Sequence, residues 1–228
     1  MCAGNDKLSG LCDLIQGLTT TPTAEQLQMI YGEYLNDFIK NPFEIDGMGV
    51  VVNKQKVKSG KNYDNFLLGK HETFCHVVSR NIDNSKKRTF DPNRANKVHW
   101  IKPILENSND KRIKYFEGQN SKAQWCRFYW YKERSYIVIL KEISCDLLLV
   151  TGYCVDLSEI DKFNKQWQNY EDQENIAKKT YLEGRYATLG NAIGSIFSSR
   201  HILYPLGTDA ANIQISFLKR KLLAENYV

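Results

Sequence analysis

The sequence contains no apolar run approaching the roughly 18–20 residues that a membrane-spanning helix needs, so no membrane association is expected. Its opening residues, MCAGNDKLSG, lack a basic stretch followed by an apolar one, so no Sec-type signal is expected. Export by a specialised secretion route is compatible with such a start. There is no Gly-rich phosphate loop, which argues against a nucleotide-binding enzyme. None of the six cysteines (Cys2, Cys12, Cys75, Cys126, Cys145, Cys154) forms a CxxC pair or stands at zinc-finger spacing from a histidine. No His/Asp/Glu group has metal-ligand spacing, and Asp146 and Asp156 fall at strand ends without obvious partners, so neither metal nor cofactor is expected. Cys75, Cys126, Cys145 and Cys154 sit in apolar or aromatic runs, the pattern of free, buried thiols in a reducing cytoplasm. Proline is sparse, five in 228 residues, and Pro22, Pro42, Pro92 and Pro103 read as element boundaries.

What is present is ordinary in bulk and uneven in distribution. An apolar fraction of 42% and a charged fraction of 25% suit a folded protein with one large domain, or a core with additions. The net charge is only +5, but Arg80, Lys86, Lys87, Arg88, Arg94, Lys97 and Lys102 crowd one segment against Asp83 and Asp91 alone. A local basic cluster of this kind suits a polyanion. A solvated charged face is the plainer explanation, and the basic loop carrying Lys54, Lys56, Lys58 and Lys61 allows the same two readings.

Hydrophobic spacing divides the chain into three regions: a helical N-terminal part (1–70), an α+β core (71–165) and a helical C-terminal part (166–228). Leu8, Leu11, Leu14, Ile15 and Leu18 recur at helical intervals, and Thr23 caps a second helix that Asn41-Pro42 ends. GVVV (49–52) suggests a short strand. TFCHVVSR fits either a strand or a short helix. Asp91-Pro92 marks a helix start, followed by Ala95, Val98, Trp100 and Ile101 before Pro103. IKYFEG, QWCRFYWYK, YIVILKEI and DLLLVTGYCVD then read as four antiparallel strands, the last two buried on both faces. The expected fold class is α+β, with helices packed on a four-stranded antiparallel sheet and helical additions at both ends. The segments ATLGNAIGSIFSS and TDAANIQISFLKRKLLAENY extend the C-terminal part, the second with a basic Lys219-Arg220-Lys221 run.

The order HxxxxHVVSR, RxFDxxRAxxxxWIxxILEN, a Tyr-rich strand, YIVIL and LLLVTGY resembles phage- and mobile-element-borne nucleases of the barnase–EndoU–colicin E5/D–RelE superfamily. The resemblance covers roughly residues 71–165. It implies a BECR-like core of two helices on a four-stranded sheet. It also implies metal-independent RNA cleavage through a 2′,3′-cyclic phosphate, and a role in toxin–antitoxin, phage-conflict or contact-delivered systems. The partners it implies are RNA, with tRNA as one candidate, and an immunity or antitoxin protein; the site of action is the cytoplasm.

The residues themselves suit that chemistry. Attack by a 2′-hydroxyl needs a base, an acid and donors for the phosphorane. His76 is the first candidate for proton transfer, with Arg80 four positions on; Arg94 is a phosphate clamp, and Thr151 a hydroxyl donor. These four form the catalytic set. His71, Arg88, Tyr153 and Lys97 are the substrate-binding candidates. Thr151 and Tyr153, two apart on a strand, share a face. Tyr129 and Tyr131, with Trp125 and Arg127, form either a stacking platform or a core cluster. His99 reads more readily as a packing residue. The competing reading is a non-catalytic nucleic-acid- or protein-binding module on a degenerate nuclease-like fold.

Overall fold

The computed structural model describes residues 7–82, 87–120 and 122–186, with side chains described as far as residue 176. The chain divides into two compact units. The first comprises the described residues up to Tyr115 together with Gln119–Ile160; the second comprises Phe116–Gly118 and the helix from Asp161 onward. The C-terminal segments beginning at Ala187 and Thr208, and Cys2 and Lys86, lie outside the described residues.

The architecture is mixed α+β, but the sheet has six strands rather than four. Strands β1 (Glu44–Ile45), β2 (Met48–Val51), β5 (Ile113–Gln119), β6 (Trp125–Tyr131), β7 (Tyr136–Ile143) and β8 (Asp146–Cys154) are ordered β1-β2-β8-β7-β6-β5. The expected meander is β5–β8. The extra pair comes from the N-terminal region: β2 runs parallel to β8, with Gly49 opposite Asp146. The turn between β1 and β2 is Asp46-Gly47, both at positive φ (52° and 74°), the dipeptide that suits a two-residue hairpin. A separate two-stranded ribbon joins β3 (Ser79–Asn81) to β4 (Arg88–Phe90).

The helices are α1 (Ala24–Leu35), α2 (Glu72–Val77), α3 (Pro92–Ala95), α4 (Ile101–Glu106) and α5 (Leu157–Tyr186). Thr23 caps α1 in a reciprocal arrangement: its hydroxyl accepts from Gln26 N–H, and Gln26 Oε1 accepts from Thr23 N–H at 2.9 Å. A π-helical turn (Asn36–Lys40) carries the chain to Asn41. Pro103 does not end a helix. It sits third in α4, where its missing N–H costs no internal hydrogen bond.

The expected helix through Leu8–Leu18 is not formed; this segment is a strap of turns and bends. Its backbone hydrogen bonds go to another segment. Asn96 accepts from Ile15 N–H at 2.7 Å and donates to Ile15 C=O at 2.8 Å, Leu14 N–H reaches Asn96 C=O at 3.1 Å, and the Trp100 indole donates to Cys12 C=O at 2.9 Å. Leu8 and Leu11 are buried all the same, so the leucine spacing marks burial without a helix.

The core of the first unit is aromatic and β-branched, with Tyr34, Phe74, Trp100, Ile101, Tyr136 and Leu140 among its buried members. Each such side chain contributes about 1.5–3 kcal/mol on burial. Gly152 belongs to this packing: a Cβ there would stand 2.9 Å from the Tyr136 hydroxyl and 3.0 Å from Ile101. Tyr129 and Tyr131 are buried in it too, at 1% and 2% exposure, which makes them core residues. Cys75 and Cys126 are buried as expected, whereas Cys145 is exposed in the β7–β8 turn and Cys154 is half-buried. In the second unit, Phe116 packs against Phe163 with ring centroids 6.3 Å apart. No helix among the described residues is long and apolar enough to cross a membrane.

Candidate functional site

The site is a corner where α2, the β3–β4 ribbon, α3 and the end of β8 meet. α2 spans only six residues because Val78 leaves the helical conformation and the chain turns into β3. His76 is therefore in the last turn of a helix and Arg80 in a strand, so they do not share one regular face as their spacing of four suggests.

Ser79, fully buried, is the hub of this corner. Its hydroxyl donates to Cys75 C=O and accepts from Arg88 Nε at 3.1 Å. Its carbonyl accepts from Arg88 Nη2 and from Arg94 Nη1, the latter at 3.4 Å. Arg88 also donates to His76 C=O at 3.0 Å and to Asn81 Oδ1 at 3.4 Å. Every nitrogen of its guanidinium is thus engaged by the protein, and burial beside Arg94 pushes its pKa down to about 10.

Asp91 organises the other two arginines. It caps α3 by accepting from Asn93 N–H (2.9 Å) and Arg94 N–H (3.3 Å), as the Asp-Pro pair suggests. Its Oδ2 also lies 3.3 Å from Arg80 Nε and 3.7 Å from Arg94 Nε. Arg80 is exposed, whereas Arg94 is mostly buried, with its guanidinium 4.7 Å from the centroid of the Tyr153 ring. Burial raises the Tyr153 hydroxyl to about 12, so it keeps its proton at neutral pH.

The His76 imidazole faces this positive corner. Burial first, then the charges of Arg88, Arg94 and Lys122, push its pKa down to about 3. It is accordingly neutral at physiological pH and able to accept a proton. An anion placed among the guanidinium groups offsets part of their charge and raises its basicity.

His76, Arg80, Arg88, Arg94 and Tyr153 thus converge. Other candidates do not. His71 is at the far end of α2, edge-on to the rings of Tyr31 and Tyr34 (centroids 5.8 and 5.9 Å), with Nδ1 buried and without a hydrogen-bond partner. His99 Nδ1 is likewise buried and unpaired. Lys97 is engaged by Asp13 at 2.8 Å and lies over the Trp100 ring. Thr151 and Tyr153 do share a face, opposite Ile139 and Ile137, but the Thr151 hydroxyl is enclosed and makes no hydrogen bond.

Sequence reasoning missed the role of Ser79, whose only outward mark is the Ser-Arg pair after an apolar run. Beside the corner, a recess of about 380 Å³ is lined by Lys56, Lys58, Asn62, Tyr63 and Glu72 among others. Glu72 and His76 stand four apart on α2, one turn from each other. The described residues contain no group of three or more His, Cys, Asp or Glu side chains able to hold a metal. The chain matches no protein-family model, no curated protein and no solved structure.

Proposed function

We propose that this protein is a metal-independent endoribonuclease whose site is the corner formed by His76, Arg94, Arg80 and Tyr153. The observation that carries this reading is the convergence of Arg80 and Arg94 on Asp91, with Arg94 over the Tyr153 ring, at the end of α2 that bears His76. A phosphate bound by these guanidinium groups offsets part of their charge and raises the basicity of the imidazole, which suits transfer of the 2′-hydroxyl proton in the bound state.

In the proposed step His76 takes the 2′-proton, the 2′-oxygen bonds to phosphorus and the bond from phosphorus to the 5′-oxygen breaks. The leaving oxygen takes a proton from the Tyr153 hydroxyl, which solvent then restores. The products are a 2′,3′-cyclic phosphate and a 5′-hydroxyl. Arg94, oriented by Ser79 and Tyr153, holds the non-bridging oxygens; Arg80, exposed, recruits the strand. Arg88 positions His76 through its carbonyl, its guanidinium held by Ser79, His76 and Asn81.

The resemblance to the barnase–EndoU–colicin E5/D–RelE superfamily supports the same reading, with a toxin or phage-conflict effector as the setting and an immunity or antitoxin protein as partner. Growth arrest on expression, relieved by a neighbouring gene product, is the expected outcome in cells. A second reading, a nucleic-acid-binding module that does not cut, is favoured by the Thr151 hydroxyl being enclosed and by the placement of His71 and His99 away from the corner. Incubation with tRNA and mRNA in EDTA separates the two. Cleavage that disappears in His76→Gln and Arg94→Ala supports the nuclease; retention of RNA without cleavage supports the module.

A further inference from the structure

The strand ends beside Tyr153 carry a second basic feature that the proposed chemistry does not use. A depression of about 580 Å³ is lined by Lys111, Arg112, Lys114, Lys132 and Glu133. It joins the segment before and at the start of β5 to the turn between β6 and β7. β5 neighbours β6 in the sheet, and a 2.9 Å hydrogen bond from Asn120 N–H to Gln124 C=O joins the end of β5 to the start of β6, which places the start of β5 beside the end of β6.

Register fixes where this depression stands relative to the corner. Tyr131 of β6 pairs with Tyr136 of β7, and Tyr136 pairs with Cys154 of β8, the residue after Tyr153. Val155 N–H reaches Ser135 C=O at 2.6 Å, so the turn that begins with Lys132 abuts the end of β8. Adjacent strands lie about 4.8 Å apart, so Tyr131 is on the order of 10 Å from Cys154. All these residues belong to the first unit.

Within the depression positive charge outnumbers negative. Asp110 holds Arg112 through two hydrogen bonds, Nε at 2.9 Å and Nη2 at 2.6 Å, which orients that guanidinium. Glu133 is the single acidic side chain of the lining. Lys111 and Lys132 are exposed and Lys114 is half-buried.

We infer that this depression is a backbone-binding track for single-stranded RNA, continuous with the corner at Arg94 and Tyr153. Phosphates a few nucleotides from the scissile one lie against Lys111, Lys114 and Lys132. Placement decides for RNA over an acidic protein: the lysines line a concave rim at a fixed offset along the same strand ends as the corner, which a strand held at one phosphate spans within a few nucleotides. The inference rests on the proposed function, because the corner must take a phosphodiester for the track to continue from it.

The test uses the full chain and 2′-O-methyl oligoribonucleotides, which cannot be cut by 2′-hydroxyl attack, in EDTA. Fluorescein-labelled strands of 3 and 12 nucleotides are titrated at several salt concentrations. The expected result is that Lys111→Glu/Lys114→Glu/Lys132→Glu weakens the 12-mer at least tenfold and leaves the 3-mer unchanged. Removing one lysine–phosphate pair lowers the log–log salt slope by about 0.7 for single strands, so the slope falls by about 2. Glu133→Lys should tighten the 12-mer, an improvement that misfolding does not imitate. A 12-mer indifferent to both variants, with 3-mer binding intact, overturns the track alone. Failure of both strands to bind overturns the proposed function and the track together. Competition by polyglutamate as effective as unlabelled RNA also overturns the track, in favour of an acidic-protein surface.

Discussion

The Arg94 guanidinium lies over the Tyr153 ring, its carbon 4.7 Å from the ring centroid, while its Nη1 reaches back 3.4 Å to the Ser79 carbonyl. This arrangement ties α3 to the end of β8 and fixes the direction in which the guanidinium can meet a ligand. A planar cation on an aromatic face is worth about 0.5–2 kcal/mol, depending on how far it is desolvated. Arg94→Lys keeps the charge but loses the planar fork, so we expect it to impair phosphate-dependent activity nearly as much as Arg94→Ala. Urea midpoints together with RNA-cleavage rates for the two variants check this.

His76 makes stability depend on pH in a predictable direction. Above about pH 6.5 the imidazole is neutral in both folded and unfolded chains and has no effect. Below that, the unfolded chain takes up a proton that the folded site refuses until about pH 3, so stability falls as pH falls through this window. Between pH 6.5 and 4.5 the loss from this group approaches about 2–3 kcal/mol. His76→Gln should lose less stability than the parent over this range, as read from urea unfolding at pH 7 and 4.5.

Arg88 is expected to act on activity through His76. Its removal leaves the buried Ser79 carbonyl with only the long Arg94 hydrogen bond and the His76 carbonyl without its side-chain donor, a cost of roughly 2–3 kcal/mol. Arg88→Lys should recover little of this, because an ammonium cannot reach Ser79, His76 and Asn81 together. The check is parallel: thermal unfolding for stability, and the NMR line shape of the His76 ring for its orientation.

Thr151→Val separates a catalytic hydroxyl from a buried one. The Thr151 hydroxyl is enclosed without a partner, so replacing it with a methyl group of like shape should be neutral or stabilising by up to about 1 kcal/mol. We expect cleavage rates in Thr151→Val to equal those of the parent. A loss of rate without a loss of stability shows that the hydroxyl acts on substrate.

Much of the frame is legible where local chemistry and tertiary packing agree. The Thr23 cap, the Asp91-Pro92 start and the apolar runs of β5–β8 are local signals that the fold keeps. The first segment misleads because its leucines are spaced for a helix while Asn96, far along the chain, takes the backbone groups of Leu14 and Ile15. The β1–β2 hairpin is signalled by Asp46-Gly47, but β1 has only two residues and its neighbour β2 finds its place on β8, a pairing no local pattern encodes. In the site, the grouping of His76 with arginines follows from their density in the sequence. The separation of roles does not: Arg88 is consumed by carbonyls and Arg94 is directed by Tyr153, and both outcomes depend on the turn at Val78 and the register of β8.

The most direct measurement is the titration of the His76 ring by 1H–13C NMR, assigned with His76→Gln, in the absence and presence of a 2′-O-methyl oligoribonucleotide. The free protein should show no His76 titration between pH 5 and 8, and bound oligonucleotide should shift the titration upward by a unit or more, as a phosphate beside Arg94 offsets its charge. Superimposable curves with and without bound oligonucleotide, or a free imidazole titrating near 6.5, contradict the account.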